Sequence, residues 1–300
     1  MNPDDPPVRT STGRFAVGLR QGGGAWQREA AALAGWAAGQ RFAFVDLDKS
    51  SAAAGLPALG VAGLRVGTVD LFAREDPDAL ITRDPTERGR AVASMVAHIE
   101  RCAATGASLF FAVTIPADPW LPRSENFAYL VEGFSALIPV LERTGARVAM
   151  EGWPGPGAVC CTPETFRAFF KAVPSGLFGI NYDPSHLLRM GIDPLRFAQE
   201  FAGRVFHVHA KDTAVSEDDL YEHGHELPPT FRPARRWAGA AWRYTIPGQG
   251  RAPWTDIFRT LHDVGYTGWV SIELEDENFH GTAADEQRGL ILARDYLEGC

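Results

Sequence analysis

Four acidic or histidine side chains in the second half of the sequence belong to the residue types that bind metal ions. They occur in the segments MEGW, NYDPSH, HVHAKD and SIELED. Two glutamates, an aspartate and an imidazole make a mixed oxygen and nitrogen donor set, which suits Mn²⁺, Co²⁺ or Mg²⁺ and, less exclusively, Zn²⁺. Clustered carboxylates repel one another strongly unless a cation lies between them, so we predict one divalent cation, with Mn²⁺ preferred. The predicted ligands are Glu151, Asp183, His209 and Glu273.

Two of these ligands have a neighbour of the same type two residues away. Because side chains alternate along a strand, Glu275 points the same way as Glu273, and His207 the same way as His209. We rank Glu273 and His209 first. Glu275 is then placed one step further out, near the rim, with its role left open, and His207 is interpreted as a partner behind the metal-bound imidazole.

Each predicted ligand lies at the C-terminal end of a short apolar run, and eight such runs alternate with stretches of helical period. This alternation is typical of βα units on a parallel sheet, whose buried strands are almost continuously apolar. Successive ligands are separated by about one such unit, roughly 30 residues, except where an insertion intervenes. We therefore predict a single (β/α)8 barrel over residues 14–300, with its active site at the C-terminal face. The strands are expected at 15–19, 41–48, 64–72, 107–115, 146–153, 177–183, 205–212 and 268–276.

Three segments depart from this regular pattern. Residues 1–13 are polar and rich in proline, which predicts a poorly ordered tail. The helix of the second unit, within SSAAAGLPALGVAG, is expected to be degenerate because it is short and glycine-rich. Residues 213–250 after the seventh strand lack a clear period, and long connections of this kind are usually lids or disordered. We predict a lid over the barrel mouth.

Composition and charge argue against several classes of function. The formal charge of the 300 residues is -8, and no clustered basic run is present, which disfavours nucleic-acid binding. No apolar run approaches the roughly 20 residues that cross a bilayer. The four cysteines form no CxxC pair, and the first residues do not resemble a signal peptide, so a cytoplasmic location is predicted. A small molecule is the expected partner, and homo-oligomerisation is left open.

Five segments of the sequence together resemble the xylose-isomerase-like superfamily of sugar isomerases and epimerases. They are MEGWPG, INYDPSHLLRMGIDP, FHVHAKDT, IPGQG and GYTGWVSIELEDE, and the resemblance covers roughly residues 125–280. In ketose 3-epimerases of that superfamily the ligand positions match the four residues predicted above. The resemblance further implies that Glu151 and Glu273 act as acid and base, one on each face of the substrate, while the cation stabilises an enediolate. It also implies that His186, in the DxxH motif, contacts substrate oxygens beside the metal.

Other side chains are candidates for holding a carbohydrate substrate. Lys211 could bind a hydroxyl or an anion, or form a local ion pair of little energetic value. Arg243 lies in the insertion, where an arginine of the ketose epimerases reaches the substrate. Trp153 and Trp120 could line a sugar pocket, although packing is the default role of a tryptophan. The pair His223 and His225 is interpreted as a solvated turn of the lid rather than a second metal site.

The predicted activity is isomerisation or epimerisation of a keto-sugar by proton abstraction next to a carbonyl. The first alternative is β-elimination or dehydration at the same site, as in inosose dehydratases and the enzymes that cleave 3-keto-glycosides, because both reactions begin with the same deprotonation. A metal-dependent endonuclease on this fold would need additional histidines at the ends of strands two to four, and the sequence has none there. A barrel that only binds a sugar would be expected to have lost at least one ligand.

Overall fold

Eight short apolar segments pair side by side as parallel strands and close into a barrel. The computed structural model describes residues 6–72 and 79–300. Around the barrel each strand neighbours the next barrel strand along the chain. Two further strands, which lie between the seventh and the last barrel strand in sequence, form a separate sheet. The predicted (β/α)8 barrel is confirmed. Its strands are β1 (Ala16–Arg20), β2 (Phe44–Leu47), β3 (Arg65–Asp70), β4 (Leu109–Val113), β5 (Arg147–Glu151), β6 (Phe178–Tyr182), β7 (Val205–Ala210) and β10 (Trp269–Ile272).

The interior of the barrel changes character from one end to the other. At the N-terminal end Phe44 stacks on Trp269, with ring centroids 4.7 Å apart, and packs with Ala16. Gly18 leaves the space that this ring fills, since a Cβ there would lie 2.6 Å from Phe44 atoms. Toward the C-terminal end the buried interior side chains become acidic or histidine. The apolar end thus seals the barrel beneath a charged end that can support chemistry.

The helices cover the outside of the barrel and carry the caps that their sequences predict. Asp84, Thr162 and Asp193 each accept hydrogen bonds from first-turn backbone N–H groups. The second unit, expected to have a degenerate helix, instead forms a ten-residue helix with Pro57 inside it. The helices are α1 (Ala25–Arg28), α2 (Ala30–Gly39), α3 (Ala52–Val61), α4 (Pro85–Ala103), α5 (Arg123–Ser135), α6 (Ile138–Thr144), α7 (Pro163–Ala172), α8 (Pro184–Arg189), α9 (Pro194–Phe201), α10 (Glu217–His223), α11 (Trp254–Asp263) and α12 (Ala283–Gly299). No helix in the described ranges is both long and apolar enough to cross a membrane.

The segment just before β1 is packed against the barrel. Val8 and Thr10 are buried. The backbone N–H of Val8 donates to the carbonyl of Arg41, and its own carbonyl accepts from the N–H of Val17. This part of the segment 1–13, predicted as a poorly ordered tail, is packed because the side chains of Val8 and Thr10 are buried and their backbones are hydrogen-bonded. Residues 1–5 lie outside the described residues.

Residues 213–250 contain secondary structure of their own. Strand β8 (Asp212–Val215) pairs antiparallel with β9 (Trp242–Thr245), and α10 lies between them in sequence. The side chain of Asp212 is buried and accepts hydrogen bonds from the backbone N–H groups of Gly248 and Ala252. The two ends of the insertion are therefore fixed to each other and to the end of β7.

Candidate metal centre

The structure brings the four predicted ligands together at the C-terminal end of the barrel. Glu151 ends β5, Asp183 follows β6 and caps α8, His209 lies near the end of β7, and Glu273 follows β10. One donor atom from each residue lies within 4.8 Å of the donor atoms of the other three. Three of the four side chains are buried, and Glu273 is partly exposed. Four strands that are neighbours in the barrel thus deliver four metal-binding groups to one point.

The contacts within this cluster leave donor atoms that a cation would satisfy. Nδ1 of His209 lies 2.7 Å from Glu151 Oε2 and 3.6 Å from Glu273 Oε2. Yet neither ring nitrogen of His209, nor Oδ2 of Asp183, has a partner in hydrogen-bond geometry among the described residues. Buried polar atoms without partners are rare because they are costly. The oxygen and nitrogen donors present therefore fit a divalent cation.

The electrostatics of the cluster keep its two glutamates ionised. Burial raises the pKa of Glu273, but the charges of Lys211 and His209 outweigh burial, and the net pKa lies well below the usual range. Burial and the charge of Glu273 raise the pKa of Glu151. The effect of His209 and His186, which lower this pKa, is larger, so the net pKa of Glu151 is also below its usual value. Burial lowers the pKa of His209, but Glu273 and Glu151 raise it well above its usual value. Both glutamates are thus in the form that binds a metal.

His186 lies beside the cluster, and its orientation is set by a residue of the insertion. Its Nε2 is 3.2 Å from Glu151 Oε1 and 3.3 Å from Asp183 Oδ2. Its Nδ1 is 2.7 Å from the hydroxyl of Tyr244, which also accepts a 2.7 Å hydrogen bond from Arg189. Because the two carboxylates can only accept, Nε2 carries a proton, and in the neutral ring Nδ1 then accepts from the Tyr244 hydroxyl. The proton of His186 is therefore on Nε2 and faces the carboxylates.

The ammonium of Lys211 is buried among carboxylates and contacts both Glu273 and Glu275. Its Nζ lies 2.5 Å from Glu273 Oε2, 2.9 Å from Glu275 Oε2 and 3.3 Å from Asp183 Oδ2. Burial lowers the pKa of Lys211, but Glu273 and Glu275 raise it well above its usual value. Glu275 is thus the partner of a buried ammonium at the rim and lies outside the four-residue cluster. That Glu273 rather than Glu275 binds the metal stays a prediction.

Sequence reasoning missed Arg20 and Asp70 on the opposite side of Glu273. Arg20 ends β1, and its Nε lies 3.1 Å from Glu273 Oε1. Its two terminal nitrogens donate to the carboxylate of Asp70 at 2.7 and 2.6 Å. Its guanidinium lies 4.5 Å from the centroid of the Phe111 ring, which stacks on His209. The sequence signal that could have identified Arg20 is a charged residue immediately after the first predicted strand, at the start of the segment RQGGG.

His207 is not part of the four-residue cluster. Its Nε2 contacts Oδ2 of Asp46 on β2 at 2.9 Å, deeper in the barrel. Asp46, His207 and His209 form a second group whose donor atoms all lie within 4.8 Å of one another. His207 therefore lies behind His209, as interpreted from the sequence, while its carboxylate partner was not foreseen.

The remaining candidates lie at different distances from this centre. Arg243 lies on β9, and its guanidinium contacts Asp276 at 3.2 Å. Trp153 is half-buried after β5, whereas Trp120 is 92% exposed. Two groups of potential metal ligands occur within residues 6–72 and 79–300, and neither includes the histidines of α10 and the turn after it. A cavity of about 810 Å³ borders the cluster at Glu273. Its lining includes Arg20, Asp70, Trp237, Glu273 and Glu275.

Comparison with known proteins identifies the family. Residues 29–297 match the family model of the xylose isomerase-like TIM barrel. The chain therefore belongs to the xylose isomerase-like TIM barrel family, which confirms the resemblance seen in the sequence motifs.

Proteins similar to this chain include an uncharacterised protein and inosose dehydratases. Uncharacterized protein YfiH of Bacillus subtilis (strain 168) is 38% identical over 144 residues, or 47% of this chain and 44% of that protein. Inosose dehydratase of Clostridium beijerinckii is 25% identical over 155 residues, or 52% of this chain and 49% of that protein. The matched part is about half the length of these curated relatives. The crystal structure of D-psicose 3-epimerase in the presence of D-fructose has a TM-score of 0.71 over 94% of this chain and 98% of that one, at 16% identity. That likeness shows a shared fold.

Proposed function

We propose that this protein is a divalent-metal-dependent isomerase or epimerase of a keto-sugar or related carbohydrate. The observation that carries the proposal is the convergence of Glu151, Asp183, His209 and Glu273, in which buried atoms of His209 and Asp183 have no hydrogen-bond partner within residues 6–72 and 79–300. The proposed cation is Mn²⁺, with Co²⁺, Mg²⁺ and Zn²⁺ as alternatives. The D-psicose 3-epimerase fold and the inosose dehydratase relatives support a carbohydrate substrate. The four free, buried cysteines suit the proposed cytoplasmic location.

In this proposal the two glutamates move a proton on the carbon next to the substrate carbonyl. When bound, the cation would polarise the carbonyl oxygen and stabilise the negative charge that develops on it. Glu151 is held by the amide of Asn181, which donates to its Oε2 at 2.6 Å. Glu273 is held between Arg20 and Lys211. Each carboxylate is thereby fixed in place, as proton transfer requires.

The candidate substrate-binding residues have different support. His186 presents Nε2–H beside two of the proposed ligands, in a position to donate to a substrate oxygen. Lys211 supplies a buried positive charge next to Glu273. Arg243, which contacts Asp276, and Trp153, which is half-buried after β5, stay proposals. For Trp120 the high exposure restricts the proposed role to the outer edge of the mouth.

A second candidate function is β-elimination from an inosose or a 3-keto-glycoside. The cavity that opens from Glu273 to Trp237 has a volume of about 810 Å³. Pockets of about 300–1,000 Å³ enclose drug-sized ligands, so this one has room for a group beyond a single sugar ring. The inosose dehydratase relatives favour the same reaction class. Both functions share the first deprotonation and differ in the products.

Proton exchange tests the shared step. Mn²⁺-loaded protein is incubated in deuterated water with a panel of ketoses, inososes and 3-keto-glycosides, and loss of the C–H signal is followed by proton NMR. We expect exchange in the wild type and no measurable exchange for Glu151→Gln or Glu273→Gln, because each removes a carboxylate that carries the proton. The matched control is Glu164→Gln on the outer helix α7, which should exchange like the wild type.

Two results would count against the proposal. One is the absence of exchange with every compound of the panel for the wild type. The other is unchanged exchange in Glu151→Gln. Where exchange occurs, the product identifies the reaction, since epimerisation conserves mass and elimination releases water or an alcohol.

A further inference from the structure

Asp46 is a buried carboxylate that reaches across the barrel from β2 to the histidines of β7. Its Oδ2 lies 2.9 Å from Nε2 of His207 and 3.7 Å from Nε2 of His209. Its Oδ1 accepts a 2.6 Å hydrogen bond from the backbone N–H of Thr68. The carboxylate thus lies between the histidines of β7 and the backbone of β3.

The neighbouring strand is shaped around this carboxylate. Gly67 on β3 lies beside it, and a Cβ at that position would come within 2.0 Å of Asp46 Oδ1. A residue with any side chain would push the carboxylate away. Strand β3 thus fixes the position of Asp46 Oδ1 both by the hydrogen bond from the Thr68 N–H and by the space that Gly67 leaves.

The two ring nitrogens of His209 face different surroundings. Nδ1 faces the cluster, at 2.7 Å from Glu151 Oε2. Nε2 faces Asp46 at 3.7 Å, which is beyond hydrogen-bond distance but close enough for electrostatic attraction. An imidazole that binds a metal through one nitrogen carries its proton on the other. A carboxylate facing that second nitrogen fixes the tautomer and the orientation of the ring.

We propose that Asp46 is a positioning residue for the metal centre, which holds His209 with its proton on Nε2 and its Nδ1 directed at the cation. The inference rests on the proposed metal site and extends it to a carboxylate, histidine and metal arrangement that crosses the barrel. His207 shares the same carboxylate oxygen and keeps Asp46 in place when the cation is absent. Partners of this kind typically contribute 10–100-fold to metal affinity.

Metal affinity of the full-length protein tests the proposal without any substrate. The dissociation constant for Mn²⁺ is measured by isothermal titration for the wild type, Asp46→Asn and the control Asp212→Asn. Asparagine at position 46 can still accept from Thr68 but carries no charge. We expect Asp46→Asn to bind Mn²⁺ about 10–100-fold more weakly. Asp212→Asn alters an equally buried carboxylate that holds the insertion. Among the described residues this carboxylate contacts none of the four ligands, so the change should lower stability and leave the Mn²⁺ affinity within about twofold.

A second measurement uses the wild type alone, in case Asp46→Asn does not fold. The ¹⁵N-labelled protein is loaded with Zn²⁺, and two-bond ¹H–¹⁵N NMR correlations report the tautomer of each histidine. We expect His209 to bind through Nδ1 with its proton on Nε2.

The outcomes separate the proposals. Equal Mn²⁺ affinity of Asp46→Asn and the wild type would reduce Asp46 to a structural partner of His207. Binding of Zn²⁺ through Nε2 of His209 would overturn the assigned tautomer. If the wild type binds no divalent cation, the proposed function itself fails, whatever Asp46 does.

Discussion

At the scale of single residues, Tyr244 connects the insertion to the chemistry of the barrel. Its hydroxyl accepts from Arg189 and donates to His186, whose other nitrogen faces Glu151. The ring also lies 4.6 Å from the ammonium of Lys211. Burial raises the pKa of the Tyr244 hydroxyl, so the group remains a donor at neutral pH. One phenol of the insertion therefore connects Arg189 to a histidine beside the proposed metal site.

Replacing Tyr244 by phenylalanine tests this role through stability. The change leaves Nδ1 of His186 and one donor of Arg189 without a partner. Each buried polar group left unsatisfied costs about 1–3 kcal/mol, so we expect the free energy of unfolding in urea to fall by at least about 1 kcal/mol. The control is Tyr221→Phe on α10, where the side chain is 88% exposed and the stability should not change. Equal stability of the two variants would show that the hydrogen bonds of Tyr244 contribute nothing.

The residues that could be predicted from sequence are those at the ends of consecutive strands. Glu151, Asp183, His209 and Glu273 follow apolar runs at regular spacing, and the barrel brings their donor atoms within 4.8 Å. That they bind a cation stays a prediction. Arg20, Asp46, Asp70 and Tyr244 were missed because they reach the site from the far side of the barrel or from the insertion. Spacing along the chain does not show which of those side chains turn inward.

At the scale of elements, continuity of apolar residues predicted the strands well, because a strand buried on both faces has few polar positions. The positions at which helices end were harder to predict from the sequence. The stretch of helical period after β1 breaks between α1 and α2 at Glu29, and the one after β4 breaks between α5 and α6, just before Pro139. Hydrophobic period shows that a helix exists, but packing against the barrel decides where its axis changes.

Asp212 shows how an element boundary is fixed, and its replacement tests the anchoring of the insertion. Its carboxylate accepts from the backbone N–H of Thr213 at 2.8 Å, Gly248 at 3.2 Å and Ala252 at 2.9 Å. In Asp212→Asn the amide presents N–H groups to these donors. Hydrogen bonds to charged groups contribute about 1.5–3 kcal/mol each, so we expect the free energy of unfolding to fall by about 2 kcal/mol or more. Limited proteolysis should cut within residues 213–250 faster than in the wild type.

Asp218→Asn is the control for this prediction, because Asp218 is exposed on the same insertion. It should resemble the wild type in both measurements. A cleavage rate of Asp212→Asn that equals the rate of Asp218→Asn would show that the insertion is held by other contacts.

At the scale of the whole molecule, the charged centre couples metal binding to stability. Without a cation, the positive charges of His209, Lys211 and Arg20 offset the clustered carboxylates. The metal-free protein is therefore expected to fold. A cation that binds only the folded state adds stability according to its concentration relative to its dissociation constant. Because His209 must lose its proton before it binds, this gain should increase as the pH rises.

Removing one ligand should abolish the gain without unfolding the protein. At a free Mn²⁺ concentration 100 times the dissociation constant, the wild type should gain about 2.7 kcal/mol, and chelation should reverse the gain. Asp183→Asn keeps the cap on Ser185 through its carbonyl oxygen but loses the charged donor, so its unfolding curve should not respond to Mn²⁺. Asp256→Asn on the exposed face of α11 should respond like the wild type. If no divalent cation changes the unfolding curve of the wild type, the buried donor atoms of the centre stay unexplained and the proposed chemistry loses its basis.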